Sequence, residues 1–205
     1  MAAERHSGLE ELNAEFEHFG NTDPSLLAEV VAKMEKVDMN YATINSMQVN
    51  AIFKSINSES KLKRLFLAQI NLSSVNPEIL SKCVVKIEEI DFCDTNLNTL
   101  QLAGIFCVDT NESNIKKIAI RGLDLSKINP KSLAKSIAMM QKVDILDSKL
   151  TTRQYEEIFK FVDKDSNLTR LNLEKSIVDS LAPTIQSIVE SKITISTSHY
   201  FVPFE

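Results

Sequence analysis

Aspartate recurs at Asp38, Asp91 and Asp144, a step of 53 residues each time. Converging carboxylates can share a proton and do acid–base work, so their positions matter first. Each stands between two apolar neighbours: Val37 and Met39, Ile90 and Phe92, Val143 and Ile145. That alternation predicts short strands with one buried face, and it sends all three aspartates to the other face. Two strands apart, they would lie roughly 10 Å from one another, too far to share a proton. Lys36, Arg64, Lys117, Lys142, Arg170 and Lys192 fall in the neighbouring column. Charge pairing across strands is therefore expected ahead of catalysis.

Other reactive residues point the same way. His6, His18 and His199 sit near the chain ends, outside the regular strands. A nucleophilic triad or a metal site would lack a platform there. Cys83, Cys93 and Cys107 match no zinc spacing and no secreted disulfide framework, so inert thiols in a reducing compartment are expected. Cys83 is expected in the core, Cys107 on an exposed helix position and Cys93 on the open strand face. Four glycines form no phosphate loop, nucleophile elbow or dinucleotide fingerprint. The expectation is a chain without catalysis, cofactor or metal.

Four of the five prolines, Pro24, Pro77, Pro130 and Pro183, also fall 53 residues apart. "LKRLFLAQINLSSVNPEILSKCVVKI" from Leu62 aligns with "IKKIAIRGLDLSKINPKSLAKSIAMM" from Ile115 and, more loosely, with the stretch from Leu9. Each is followed by a second kind of half-repeat, so the period is 26 plus 27. Such self-similarity marks a solenoid, in which each unit buries its apolar face only by stacking on its neighbours.

Within each half-repeat an apolar period of two gives way to a helical one. Leu65 with Leu67, Ile90 with Phe92, Ile118 with Ile120 and Val143 with Ile145 predict strands. Asp23-Pro24, Asn76-Pro77 and Asn129-Pro130 then start helices: a short polar side chain caps a free N–H, and proline takes the first helical position, where its missing N–H is no loss. The alternate units use Asn45 with Gln48, Asn98 with Gln101 and Thr151 with Gln154, in the pattern of a capping box. Ile52-Phe53, Ile105-Phe106 and Ile158-Phe159 read as the helix faces packed beneath the strands. Strands about 4.8 Å apart cannot match helices roughly 8–10 Å apart without curvature. The predicted fold is α/β: a curved solenoid with about seven short parallel strands inside and about seven helices outside.

"LKRLFLAQINL", with Leu62, Leu65, Leu67 and Leu72, resembles the leucine-rich-repeat pattern, and "LTRLNLEKSIV" from Leu168 does so nearly as well. The alternating 26- and 27-residue units are similar to the ribonuclease-inhibitor-like, intracellular subclass. That resemblance implies a horseshoe whose concave sheet binds proteins. The chain departs from the pattern where asparagine or cysteine is usual, with Ile70, Thr95, Leu123, Ser148 and Ser176. An asparagine ladder is therefore absent, and the turns must be satisfied another way.

A single domain spanning 1–205 is expected: a capping unit over 1–33, regular repeats over 34–192 and a cap over 193–205. Leu9, Leu12, Phe16 and Phe19 fall at helical spacing, so the first unit is expected as a capping helix. The last unit carries Ala182 in place of a polar cap. The β-branched run "KITIS" predicts a last strand, with Tyr200, Phe201 and Phe204 covering the final repeat; a monomer is expected, and an edge-strand dimer is the alternative. A net charge of −5 and a pI near 5.4 argue against nucleic acid or an anionic membrane as partner. No stretch approaches a membrane span or a signal core, which makes the cytosol the default.

The function expected is a scaffold that binds a partner protein through Tyr41, Arg64, Phe66, Asp91, Arg121, Lys142, Asp144 and Leu146, with Ala119 beside them on the same face. The subclass resemblance also implies inhibition of a basic enzyme as one version. A second reading is regulation of a GTPase, which the subclass also contains, with Arg121 in "IAIRGLDL" as the arginine to test. A third is cytoskeletal or self-assembling structure.

Overall fold

The computed structural model describes residues 10–107, 113–162, 166–180 and 194–196. Strand and helix alternate along them: β1 Glu11–Asn13, α1 Pro24–Lys33, β2 Lys36–Asp38, α2 Ser46–Ser55, β3 Arg64–Phe66, α3 Pro77–Val84, β4 Glu89–Asp91, α4 Thr99–Phe106, β5 Lys117–Ala119, α5 Pro130–Met139, β6 Lys142–Asp144, α6 Thr152–Phe161, β7 Arg170–Asn172, α7 Lys175–Ser180 and β8 Thr194–Ser196. The strands form one parallel sheet in sequence order. The architecture is that of a repeat solenoid.

Register is fixed by one apolar column, fully buried from Val37 to Leu171. Leu12, Val37, Leu65, Ile90, Ile118, Val143, Leu171 and Ile195 are cross-strand partners in that order. A one-residue slip in a strand of that run would turn its core residue outward, so the pairing is strongly specified. Met39, Leu67, Phe92, Ile120, Ile145 and Leu173, two positions on, enter the same continuous core. Ile52-Phe53, Ile105-Phe106 and Ile158-Phe159 meet them from the helices, as the sequence predicts.

The caps are also as written in the sequence. Asp23, Asn76 and Asn129 accept first-turn N–H groups ahead of their prolines. All three capping boxes close. Their glutamines do more than cap. Gln101 Oε1 accepts the Asn98 N–H at 2.8 Å, while its Nε2 donates to the carbonyls of Leu72 and Val75 at 2.8 and 2.7 Å. Gln48 grips the carbonyls of Phe19 and Thr22, and Gln154 those of Leu125 and Ile128. All three are fully buried. This glutamine stitch ties every second unit to the one before it and satisfies turn carbonyls there. Elsewhere Thr95 donates its hydroxyl to the Phe92 carbonyl, and Ser148 to that of Ile120. The helices pack in pairs, α1 with α2, α3 with α4 and α5 with α6, and touch far less between pairs.

The first unit differs from its expectation. Residues Glu11–Asn13 form a strand rather than a helix, because they pair in register with Lys36–Asp38 and satisfy that strand's backbone. The helical spacing is accidental: Phe16 is left 64% exposed. Among the described residues the sheet accordingly has eight strands, against the expected seven or so. The predicted last strand is present as β8, while Leu9, His6, Ala182, Pro183, Lys192, His199, Tyr200, Phe201 and Phe204 lie outside the described residues.

Candidate functional site on the open sheet face

With the helices on one side of the sheet, the other side carries two columns of strand side chains. The first column reads Glu11, Lys36, Arg64, Glu89, Lys117, Lys142, Arg170, Thr194. Thr194, not Lys192, holds the eighth place. Pairing across strands is present here, but the partners are glutamates. Lys36 and Arg64 both reach Glu11, at 3.5 and 2.9 Å, and Lys117 reaches Glu89 at 3.4 Å.

The aspartates stand in the second column and correct their expectation. Asp38 is half-buried, and Asp91 and Asp144 are buried. Each turns a carboxylate oxygen back along its own chain. Asp38 accepts the N–H of Asn40 at 3.1 Å, Asp91 that of Cys93 at 2.8 Å and Asp144 that of Leu146 at 3.1 Å. Asn13 does the same for Glu15. These side chains end the strand with an Asx turn, which explains their recurrence. Asp144 is held further by Arg121 Nε and Asn172 Nδ2, both at 2.9 Å. Among the described residues Asp91 has no such cation, and desolvation raises its pKa, a shift opposed by the hydrogen bonds from Cys93 and reinforced by Asp144 and Asp38.

Three residues after each of the first six strands the chain turns through the left-handed region, at Phe16, Tyr41, Gln69, Asp94, Gly122 and Asp147. The N–H of each of the first five donates to the next repeat, as from Tyr41 to the Ala68 carbonyl at 2.9 Å and from Asp94 to that of Arg121 at 2.9 Å. Only one of the six is glycine. Gly122 needs to be, since a Cβ there would collide with Asp94 Oδ1. Phe16 and Tyr41, bulky residues in a conformation such residues rarely adopt, stack with ring centroids 4.9 Å apart and planes 11° apart.

Beside Tyr41, with a lining that runs from Glu15 to Arg121, lies a depression of about 410 Å³. Five of the eight candidate binding residues line it: Tyr41, Arg64, Phe66, Asp91 and Arg121. Lys142, Asp144 and Leu146 do not. Leu146 is fully buried, because it lies two residues past the end of β6, where strand alternation no longer applies. Ala119 is buried too, its methyl packed with Ala68 and Cys93, and that cluster also removes Cys93 from the open surface. Cys83 is buried, its thiol pushed up to about 11 by desolvation, and Cys107 is exposed, both as expected.

Lys36, Asp38, Ala68, Glu89 and Cys93 line the depression as well, and the sequence reading missed Glu15, Asn40 and Asp94, which lie there too. Their signal was the turn itself: they sit two or three positions past their strands in alignment with one another. Desolvation raises the Tyr41 phenol, with Asp91, Asp94, Cys93 and Glu15 adding to the effect in that order. His18 is exposed. Among the described residues no His, Cys, Asp or Glu group is arranged to hold a metal ion, and no helix is long and apolar enough to cross a membrane. The chain matches no protein-family model and no curated protein.

Proposed function

We propose that this chain is a leucine-rich-repeat solenoid acting as a non-catalytic protein-interaction module, which binds a partner protein across the open face of its sheet. The observation that carries this reading is the depression, where Tyr41 and Phe66 stand among charged side chains on a stitched backbone. Aromatic residues beside arginines make effective interface anchors, and a stiff frame limits the ordering lost on association. A GTPase-directed role for Arg121 is less favoured, because its Nε already donates to Asp144 and only 13% of its side chain is exposed.

The test is affinity capture with the intact chain beside a Tyr41→Ala, Phe66→Ala double variant and a helical-side control, Met47→Ala with Leu100→Ala. Met47 and Leu100 are 69% and 71% exposed, so the control removes comparable apolar surface without touching the sheet. A partner retained by the intact chain and the control, and lost at least tenfold by the double variant, is the expected result. Equal retention by all three would overturn it.

A further inference from the structure

Five acids and three bases line the depression; Glu89 among the acids pairs with Lys117, and the other four point to the chemistry of what enters it. Glu15, Asp38, Asp91 and Asp94 line it, and no described lysine or arginine forms an ion pair with any of the four. Its cations are engaged elsewhere: Lys36 and Arg64 on Glu11, Arg121 on Asp144. Two aromatic residues, Tyr41 and Phe66, line it with these carboxylates. Tyr41, 43% exposed, is braced by its stack on Phe16, with Phe66 on the neighbouring strand. Desolvation is the main cause of the raised Tyr41 phenol, and Asp91, Asp94 and Glu15 add to it, which places these acids near the ring.

Carboxylates beside the faces of aromatic rings attract one kind of group: an organic cation whose stem packs on the ring while its charged head meets the acids. A hard metal ion would gain little from the rings. We infer that the depression receives a lysine or arginine side chain from an extended basic segment of the partner protein. This rests on the interaction reading above and specifies which chemistry that reading uses. Tyr41 and Phe16 held in the left-handed region fit the same role, since strained backbone concentrates where a surface must keep one shape.

The probe is a fluorescein-labelled octalysine peptide, with octaglutamate as its opposite, titrated into the full chain and followed by anisotropy at low and high salt. Asp38→Asn with Asp94→Asn removes charge while keeping what the fold uses. An amide oxygen in place of the Asp38 carboxylate would still accept the Asn40 N–H, and asparagine tolerates the left-handed turn that Asp94 now makes. Circular dichroism confirms the fold of each variant. Expected are at least a tenfold loss of octalysine affinity in that double variant and about a threefold loss in Tyr41→Ala. Asp124→Asn, an exposed acid outside the depression, should change affinity less than twofold.

Three results would overturn the inference: no octalysine binding, no effect of the aspartate pair, or an equal effect of Asp124→Asn. The partner capture separates this failure from that of the interaction reading. Capture that depends on Tyr41 and Phe66 but ignores the aspartate pair keeps the module and removes its cationic ligand. Capture indifferent to both sets removes the module as well.

Discussion

The two halves of the open face share one backbone and differ in what their charges do. Over β1–β4, Glu15, Asp38, Asp91 and Asp94 line a depression with exposed Tyr41 and, among the described residues, form no ion pair with lysine or arginine, whereas Glu11 and Glu89 do. Over β5–β7 the first column turns basic, with Lys117, Lys142 and Arg170 in succession, and the buried aspartate is satisfied. Asp91 and Asp144 make the contrast sharpest. They occupy the same strand position and accept the matching turn N–H, yet Asp144 also accepts from Arg121 and Asn172, while among the described residues the hydrogen bonds to Asp91 come from Cys93. A repeat fixes the frame, and the residues it leaves outward decide whether a place is closed by its own neighbours or left for a partner.

If the frame is common to both halves, its stitch should be equally critical in each. Gln101→Ala would leave the Asn98 N–H and the Val75 carbonyl without these partners and the Leu72 carbonyl with only the Val75 N–H, and unfolding in urea should show a loss of about 3–5 kcal/mol. Gln48→Ala and Gln154→Ala should fall within about 1 kcal/mol of it; a wide spread would break the equivalence. A smaller effect should erase the difference between the halves. Arg121→Ala leaves Asp144 buried without its cation and should destabilise by about 2 kcal/mol, with an added loss as Asp144 is forced to carry its charge unpaired.

The mildest substitution reads the difference by pH. Burial holds the Asp91 pKa above its unfolded value of about 3.9. The folded state therefore favours the protonated form, and Asp91 stabilises most below the unfolded value and loses that contribution as pH rises through the folded one. Against Asp91→Asn, the wild type should gain stability as pH falls from neutral through the raised pKa. The difference at neutral pH should be within about 1 kcal/mol, measured by denaturant titration at several pH values. A flat difference across that range would mean Asp91 is as well compensated as Asp144.

Most of the frame was legible because its signals are local. Proline after a capping residue, glutamine three after a cap and apolar alternation each report on a few adjacent residues, and all fell where the spacing put them. The first strand was not legible, because Leu12, Phe16 and Phe19 satisfy a helical period by coincidence and only pairing with β2 decides between the two. The site was half legible. Alternation placed Arg64, Phe66 and Asp91 on the right face, but it says nothing beyond the strand end, which is why Leu146 was misplaced and Asp94 overlooked. Burial of Ala119 and Asp91 depends on neighbours 25 or more residues away, a tertiary fact without a local trace. The second role of the glutamines is of the same kind.

The pairing of helices bears on how the molecule yields to force. Each glutamine clasps the unit just before it, and the tight helix contacts lie within the same twos, so the seams between α2 and α3 and between α4 and α5 are the softer joints. Pulled from its ends, such a chain gives way in blocks of two units, opening first at those seams. The depression runs from β2 to β4, across the first seam, and a partner seated there would act as a splint between two blocks.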